Sequence, residues 1–246
     1  MSLIQYQIEK KSEASYLGKI RFQNKKSIQT PLCWFGLSII ESKEFQLKVF
    51  KKSKIEAYLS NAYDLCYLDK KNNRKSLIEE LQNLNLSHKM DSGGFQLMKA
   101  EMKGIGNKFP LNQKTVLDKQ LEVGCDCGVQ LDFPFGPDLS KTQKLKRLKS
   151  TLKNLEALVK LIDHYGVDFS ILPVIHTVSN DLELLEYGVQ EITNILGEFP
   201  KIIGIGSLVP LVKSIRGSKK MELKVLYIHL LLYEKYFQNR LFMPLE

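Results

Sequence analysis

Short apolar runs recur between stretches of helical spacing along nearly the whole chain, and that alternation restricts the fold more than any single motif. Residues 18–22 and the polar 23–27 read as a strand and hairpin turn, leading into 28–36, whose continuous apolar run suits a buried strand. Residues 42–59 carry helical spacing, 64–68 a second short buried strand, and 70–75 a basic loop. Ser76 has Glu79 at capping-box spacing and opens an amphipathic helix through Leu84. Beyond a turn at Asp91, residues 104–110 read as loop and 111–123 as a helix stopped by Gly124. Strands at 127–132, 169–176 and 201–210 then alternate with helices at 141–165, 181–196 and 222–237, and 240–243 opens one more strand. Such a series builds a parallel sheet. No repeat, low-complexity tract or linker interrupts it, so residues 1–246 read as one domain. About six complete strands and the start of a seventh can be counted, where a (β/α)8 barrel needs eight in roughly 250 residues. The expectation is a TIM (β/α)8-type barrel truncated before its last strands. An open doubly wound sheet is the alternative, but no strand–GxGxxG–helix opening supports it.

The chemistry collects where strands end. Lys89-Met90-Asp91-Ser92-Gly93-Gly94-Phe95-Gln96 puts an acid, a hydroxyl and paired glycines at one turn. Adjacent glycines let backbone turn sharply and approach a flat ligand closely. The plain alternative is a tight turn with a solvated Asp91 and a capping Ser92. In barrels of this type functional side chains sit at the C-terminal ends of strands, which here supply Asp91, Asp132, His176 and Gly206-Ser207-Leu208. Two carboxylates suit acid–base work or a ligand with several N–H donors. A planar heterocycle with an amino group and ring N–H would satisfy a buried carboxylate bidentately. Phe95 and Phe133, beside the two aspartates, are the better candidates for stacking on a base, whereas Trp34 suits core packing. His88 reads as a loop or helix-end residue, and His164 and His229 as structural.

Composition bounds the class. At 43% hydrophobic and 26% charged, the chain has the balance of a soluble globular protein, and no apolar run is long enough to span a bilayer. The N-terminus lacks a signal-peptide pattern, and Cys33, Cys66, Cys125 and Cys127 are too sparse for a disulfide framework, so a cytoplasmic setting is expected. Cys125 and Cys127, two apart on a strand approach, are not expected to form a metal site. The net charge of +9 raises the weight of a polyanionic partner. On the long helix after Asp132, Lys141, Lys144, Lys146, Arg147, Lys149 and Lys153 form either a solvated face or phosphate contacts, with Lys144 and Arg147 the named candidates.

Asp91-Ser92-Gly93-Gly94-Phe95-Gln96 resembles the signature of the tRNA-guanine transglycosylase superfamily. The likeness continues through Gln120, Gly124-Cys125-Asp126, Leu131-Asp132 and Ile205-Gly206-Ser207-Leu208-Val209-Pro210. The last turn has the form of the archaeal and DNA-modifying branches, and the match covers most of residues 16–212. The resemblance implies exchange of guanine in DNA or tRNA for a 7-deazaguanine such as preQ0, through an aspartyl–glycosyl intermediate. It casts Asp91 as general acid/base and Asp132 as acceptor for the purine ring N–H and amine. Ser92, Gly93, Gly94, Phe95, His176, Gly206, Ser207 and Leu208 complete the base site, His176 standing near a family glutamine. The family's nucleophilic aspartate and its cysteine-and-histidine zinc site are not recognisable before Met243-Pro244-Leu245-Glu246. A fragment, a second polypeptide that completes the barrel, or a paralogue that binds a 7-deazaguanine or nucleic acid without chemistry are the resulting expectations. No cofactor is expected in this chain.

Overall fold

A computed structural model describes residues 2–11, 16–69, 73–105, 108, 110–136, 139–176 and 182–207. Its centre is a parallel sheet whose strands follow one another in chain order. β5 (Phe35–Gly36), β6 (Ala57–Asn61), β7 (Ser87–Asp91), β8 (Cys127–Val129) and β9 (Ser170–Leu172) lie side by side, with β1 (Ser2–Leu3) parallel to β9 beyond them. β10 (Val174–His176) pairs in parallel with β11 (Gly204–Gly206). A separate antiparallel sheet joins β2 (Gln5–Lys11), β3 (Tyr16–Arg21) and β4 (Ser27–Thr30). The helices are α1 (Lys43–Lys52), α2 (Ala62–Tyr67), α3 (Asn73–Asn83), α4 (Gly94–Met102), α5 (Gln113–Glu122), α6 (Lys141–Tyr165) and α7 (Leu182–Leu196). None of the described helices is long and apolar enough to cross a membrane.

Alternation along each strand divides the core in two. On β7, His88 and Met90 turn to the helices: Met90 joins the large cluster with Leu77, Leu81, Leu117 and Leu155, and His88 stacks on Tyr58 at 4.4 Å while bonding Ser60 Oγ at 2.6 Å. Lys89 and Asp91 share the other face. That face is floored by Ile4, Phe22, Ile28 and Cys127, with Trp34, Leu172 and Ile202 packed against them, so the antiparallel sheet stands under the start of the parallel strands. Asp126 clamps floor to sheet. It accepts from Asn24 Nδ2, from His88 N–H at 2.8 Å, and pairs with Lys26 at 3.3 Å.

Several sequence expectations need correcting. The single helix expected at 42–59 is α1 followed by β6; Ala57 and Tyr58 are fully buried between neighbouring strands, and tertiary pairing overrides helical spacing. The strand expected at 64–68 is α2, because the Asn61 side chain caps it by accepting from Asp64 N–H at 3.3 Å. α3 starts at Asn73, inside the expected basic loop: Asp69 accepts from the Arg74 and Lys75 amides, and Ser76 is interior, with its hydroxyl taking a bond from Lys43. The run 28–36 splits at Pro31 into β4 and β5, in different sheets. The run 169–176 splits at Pro173, which has no N–H for a ladder. His88 is a buried strand residue, not a loop or helix-end one. The helix expected at 222–237, with His229, and the strand at 240–243 lie outside the described residues.

Replacing Asp126 by Ala strips acceptors from a buried amide, an asparagine and an ammonium at once. The expected loss is about 1–3 kcal/mol in denaturant unfolding, since the buried His88 N–H is left without its acceptor; no measurable loss would mean the clamp is not structural.

Candidate active site

Asp91 ends β7, opposite Asn61 at the end of β6. Asn61 Nδ2 donates to Asp91 Oδ2 at 3.1 Å, and the backbone N–H groups of Ser92 and Gly93 also bond the carboxylate. Gly93 holds φ 92°, and a Cβ there would overlap Tyr63 and Asn61. Gly94 opens α4 so close to Asp132 that any Cβ would overlap its main chain and carboxylate. The two glycines therefore do separate work: the first makes the turn, the second lets the Asp91 and Asp132 segments meet.

Asp132 arrives differently. Residues 130–132 run past the end of β8 without ladder bonds and are held by side-chain amides instead. Gln113 Oε1 accepts from Leu131 N–H at 2.7 Å, Asn154 Nδ2 donates to Leu131 O at 2.9 Å, and Gln130 reaches Thr151 O at 3.2 Å. Gln120 Nε2 ties Val129 O at 2.8 Å to Met90 O at 3.3 Å, locking the two strands just below the acids. Ser92 Oγ, fully buried, donates to Asp132 Oδ1 at 3.1 Å. One hydroxyl thus links the residue after Asp91 to Asp132.

The far side of Asp132 meets His176, Nε2 lying 3.7 Å from Oδ2 and 3.4 Å from Thr151 Oγ1. Ser207 Oγ accepts from Phe135 N–H at 2.7 Å and lies 2.9 Å from His176 Nδ1. Ser207 Oγ and His176 Nδ1 share one hydrogen bond, whose direction follows the ring's tautomer, and Nε2 faces Asp132 and Thr151. Gly206 pairs with His176 across the two strands, and a Cβ there would overlap the ring.

Burial sets the electrostatics. It pushes Asp132 up to about 7, with the charge of Asp91 adding and the Ser92 bond opposing. Asp91 is also raised by burial, against the lowering effects of Lys89, the two amides and Asn61. Burial, then Arg147, hold His176 down to about 3, so the Asp132–His176 approach joins a neutral ring to a carboxyl group of raised pKa and is not an ion pair of two full charges. Lys89, its ammonium 5.1 Å from the Trp34 ring centroid, is lowered by burial and raised by Cys127 and Asp91.

The structure brings Asp91, Ser92, Gly93, Gly94, Asp132, His176, Gly206 and Ser207 together. Leu208 lies outside the described residues. Phe95 occupies the first turn of α4 with the Lys99 ammonium 4.5 Å above its ring, and Phe133 is half-buried with its N–H on Thr151 Oγ1 at 3.0 Å. Trp34 packs on Phe22 in the floor. At the rim, Arg147 bonds Glu101 at 3.2 Å and Pro134 O at 3.4 Å; Lys144 lies one turn earlier and is half-buried. Cys125 joins the helix-side cluster and Cys127 the floor. Among the described residues, no three histidine, cysteine or acidic side chains are grouped to hold a metal ion. Sequence reasoning missed Asn61, Lys89 and Thr151; for Asn61 a signal existed, a capping residue with Asp64 at the third position after it.

The described residues thus form an α/β fold with a parallel sheet that brings a half-buried carboxyl group, Asp91, and a buried one, Asp132, to neighbouring strand ends. The comparisons are specific: a family profile described as queuine tRNA-ribosyltransferase matches residues 12–226. The chain belongs to that family. Its relatives include the tRNA-guanine(15) transglycosylases of Pyrococcus furiosus, 27% identical over 91% of this chain and 36% of the relative, and of Pyrococcus abyssi, 24% identical over the same shares. That of Methanococcus maripaludis strain C6 is 31% identical over 54% of this chain and 19% of the relative. The chain thus spans about a third of the length of the Pyrococcus relatives.

A carboxyl held above its ordinary value is protonated in the folded state while already ionised in the unfolded one, so it lowers stability as pH rises. For Asp132 the window runs from 3.8 to about 7. Across it the wild type should lose on the order of 4 kcal/mol relative to Asp132→Asn. Denaturant unfolding of both proteins over that range checks this; parallel stability curves would refute it. The depressed histidines give the opposite slope, but in both proteins alike.

Proposed function

We propose that this chain carries the base-exchange site of a guanine transglycosylase, replacing guanine in nucleic acid with a 7-deazaguanine such as preQ0. The observation that supports it most is the Ser92 bridge, which ties the residue after Asp91 to Asp132, two carboxyl groups of raised pKa at neighbouring strand ends. The chain-order parallel strands fit the first six of a (β/α)8 barrel, with the Pro173 break inside one of them. In that frame Asp91, Asp132, His176 and Ser207 lie at strand ends on one rim. A cytoplasmic setting belongs to the same reading.

In this reading Asp132 accepts the ring N–H and exocyclic amine of the purine, and Ser207 and Leu208 offer backbone groups to its other edge. A carboxylate attacks C1′ of the nucleotide; the C1′–N9 bond breaks as the ester forms, and Asp91 delivers a proton to the departing guanine. The incoming base gives its N9 proton back to Asp91 and attacks C1′, displacing the ester. We assign the attacking carboxylate to none of the described residues. That keeps a second reading alive, in which the chain binds a 7-deazaguanine or nucleic acid without exchange, alone or until a second polypeptide completes the barrel.

Radiolabelled guanine exchange separates the two readings. The named relatives act on tRNA, so tRNA is the first substrate to offer and duplex DNA the second. Exchange into either, abolished by Asp91→Ala, is the expected result; guanine binding without exchange on both would establish the binding-only reading.

The bound purine selects the ionised form of Asp132, whose pKa in the empty site is about 7. Guanine affinity should therefore rise about tenfold per pH unit up to neutrality and level off above it. Calorimetric titration across that range checks the sign; affinity independent of pH would remove Asp132 as the acceptor.

A further inference from the structure

A second concentration of positive charge lies at the opposite end of the parallel strands from Asp91. The β3–β4 turn is fastened beneath the strand starts: Gln23 N–H donates to Ser170 Oγ at 2.8 Å and Lys26 Nζ to Leu86 O at 3.1 Å. Ile20 and Ile28 face the floor cluster, so their sequence neighbours face outward. The registers Gln5–Arg21–Ser27 and Gln7–Lys19–Gln29 set these side chains in two rows across the outer face. Gln5, Lys19, Arg21, Gln23, Lys25 and Ser27 line a hollow there. It presents three cations and three neutral hydrogen-bonding groups, and no carboxylate. Glu9, at the register shift, is the one acid on the three described strands.

Among the described residues elsewhere, some lysines are compensated and others, such as Lys146, Lys149 and Lys153 on α6, are not. Lys43, Lys75, Lys114, Lys119, Lys141 and Lys160 each meet a carboxylate. Among the described residues, Lys19, Arg21 and Lys25 make neither an ion pair nor a side-chain hydrogen bond. Three like charges around one concavity repel one another, and an anion relieves that repulsion. Amides and a hydroxyl interleaved with cations suit phosphate and sugar oxygens along an extended backbone, where both kinds of group act as positioning contacts.

We propose that this hollow binds the phosphodiester backbone of the nucleic-acid substrate, as an exosite remote from the base-exchange rim. The inference rests on the nucleic-acid reading above and adds a second point of contact to it. The exosite carries no sequence information; it holds a long substrate while the rim engages one nucleotide.

The test is fluorescence anisotropy with an unmodified tRNA transcript and with duplex DNA across a salt series, comparing wild type with the double variant Lys19→Glu/Arg21→Glu. At ~0.1 M salt the double variant should bind about tenfold more weakly, with a salt slope shallower by about 1–2, while guanine affinity is unchanged. If the double variant does not fold, Lys19→Gln and Arg21→Gln singly should each cost roughly threefold. Wild-type affinity and slope in these variants, with weakened binding in Arg147→Glu, would overturn the exosite and leave the nucleic-acid reading standing. Guanine binding with no affinity for either nucleic acid would overturn both. So would binding to anionic phospholipid vesicles in place of nucleic acid.

Discussion

The site depends on one hydrogen bond, from the Ser92 hydroxyl to Asp132. Two carboxyl groups in a poorly solvated space resist joint ionisation, and the fold holds them there only because other groups fix both. Asp91 has Asn61 and two amides; Asp132 has Ser92 on one side and His176 on the other. The result is a pair of unequal acids. One lies among hydrogen bonds to its charged form and near a lysine; the other is pushed to about 7 by burial and its neighbour. Environments that separate two titratable groups in this way divide the labour between proton transfer and recognition.

Everything beneath the rim serves that placement. Gln113, Gln130 and Asn154 take over where β8 stops, so Asp132 is positioned by side-chain amides and not by a strand ladder. Gly94 exists because α4 begins against Asp132 itself. At the other end, the Asp126 clamp joins the antiparallel sheet to the starts of β7 and β8.

Much of this was legible in the chain, for identifiable reasons. α5, α6 and α7 were readable because their apolar spacing is regular; the structure adds Asn112 and Ser140 as the caps of the first two. The Asp91 turn was readable because paired glycines have few other uses. Residues 57–61 were not, since a five-residue strand following a helix in lysine-rich sequence keeps the helical spacing going. The two prolines, Pro31 and Pro173, sit inside apolar runs that read as single strands, and only the pairing partners show that each run is divided between sheets. Asn61 carried a capping signal, but its bond to Asp91 exists only once β6 and β7 are in register.

The central claim is that Asp91 and Asp132 form one coupled pair. The most direct test is the carboxyl titration of Asp132 by carbon-detected NMR, in the wild type and in Asp91→Asn. Asp132 should titrate near 7 in the wild type, well above the ordinary 3.8, and move down when the neighbouring charge is removed. Titration at the ordinary carboxylate value in both proteins would show two independent, solvated acids and contradict the account.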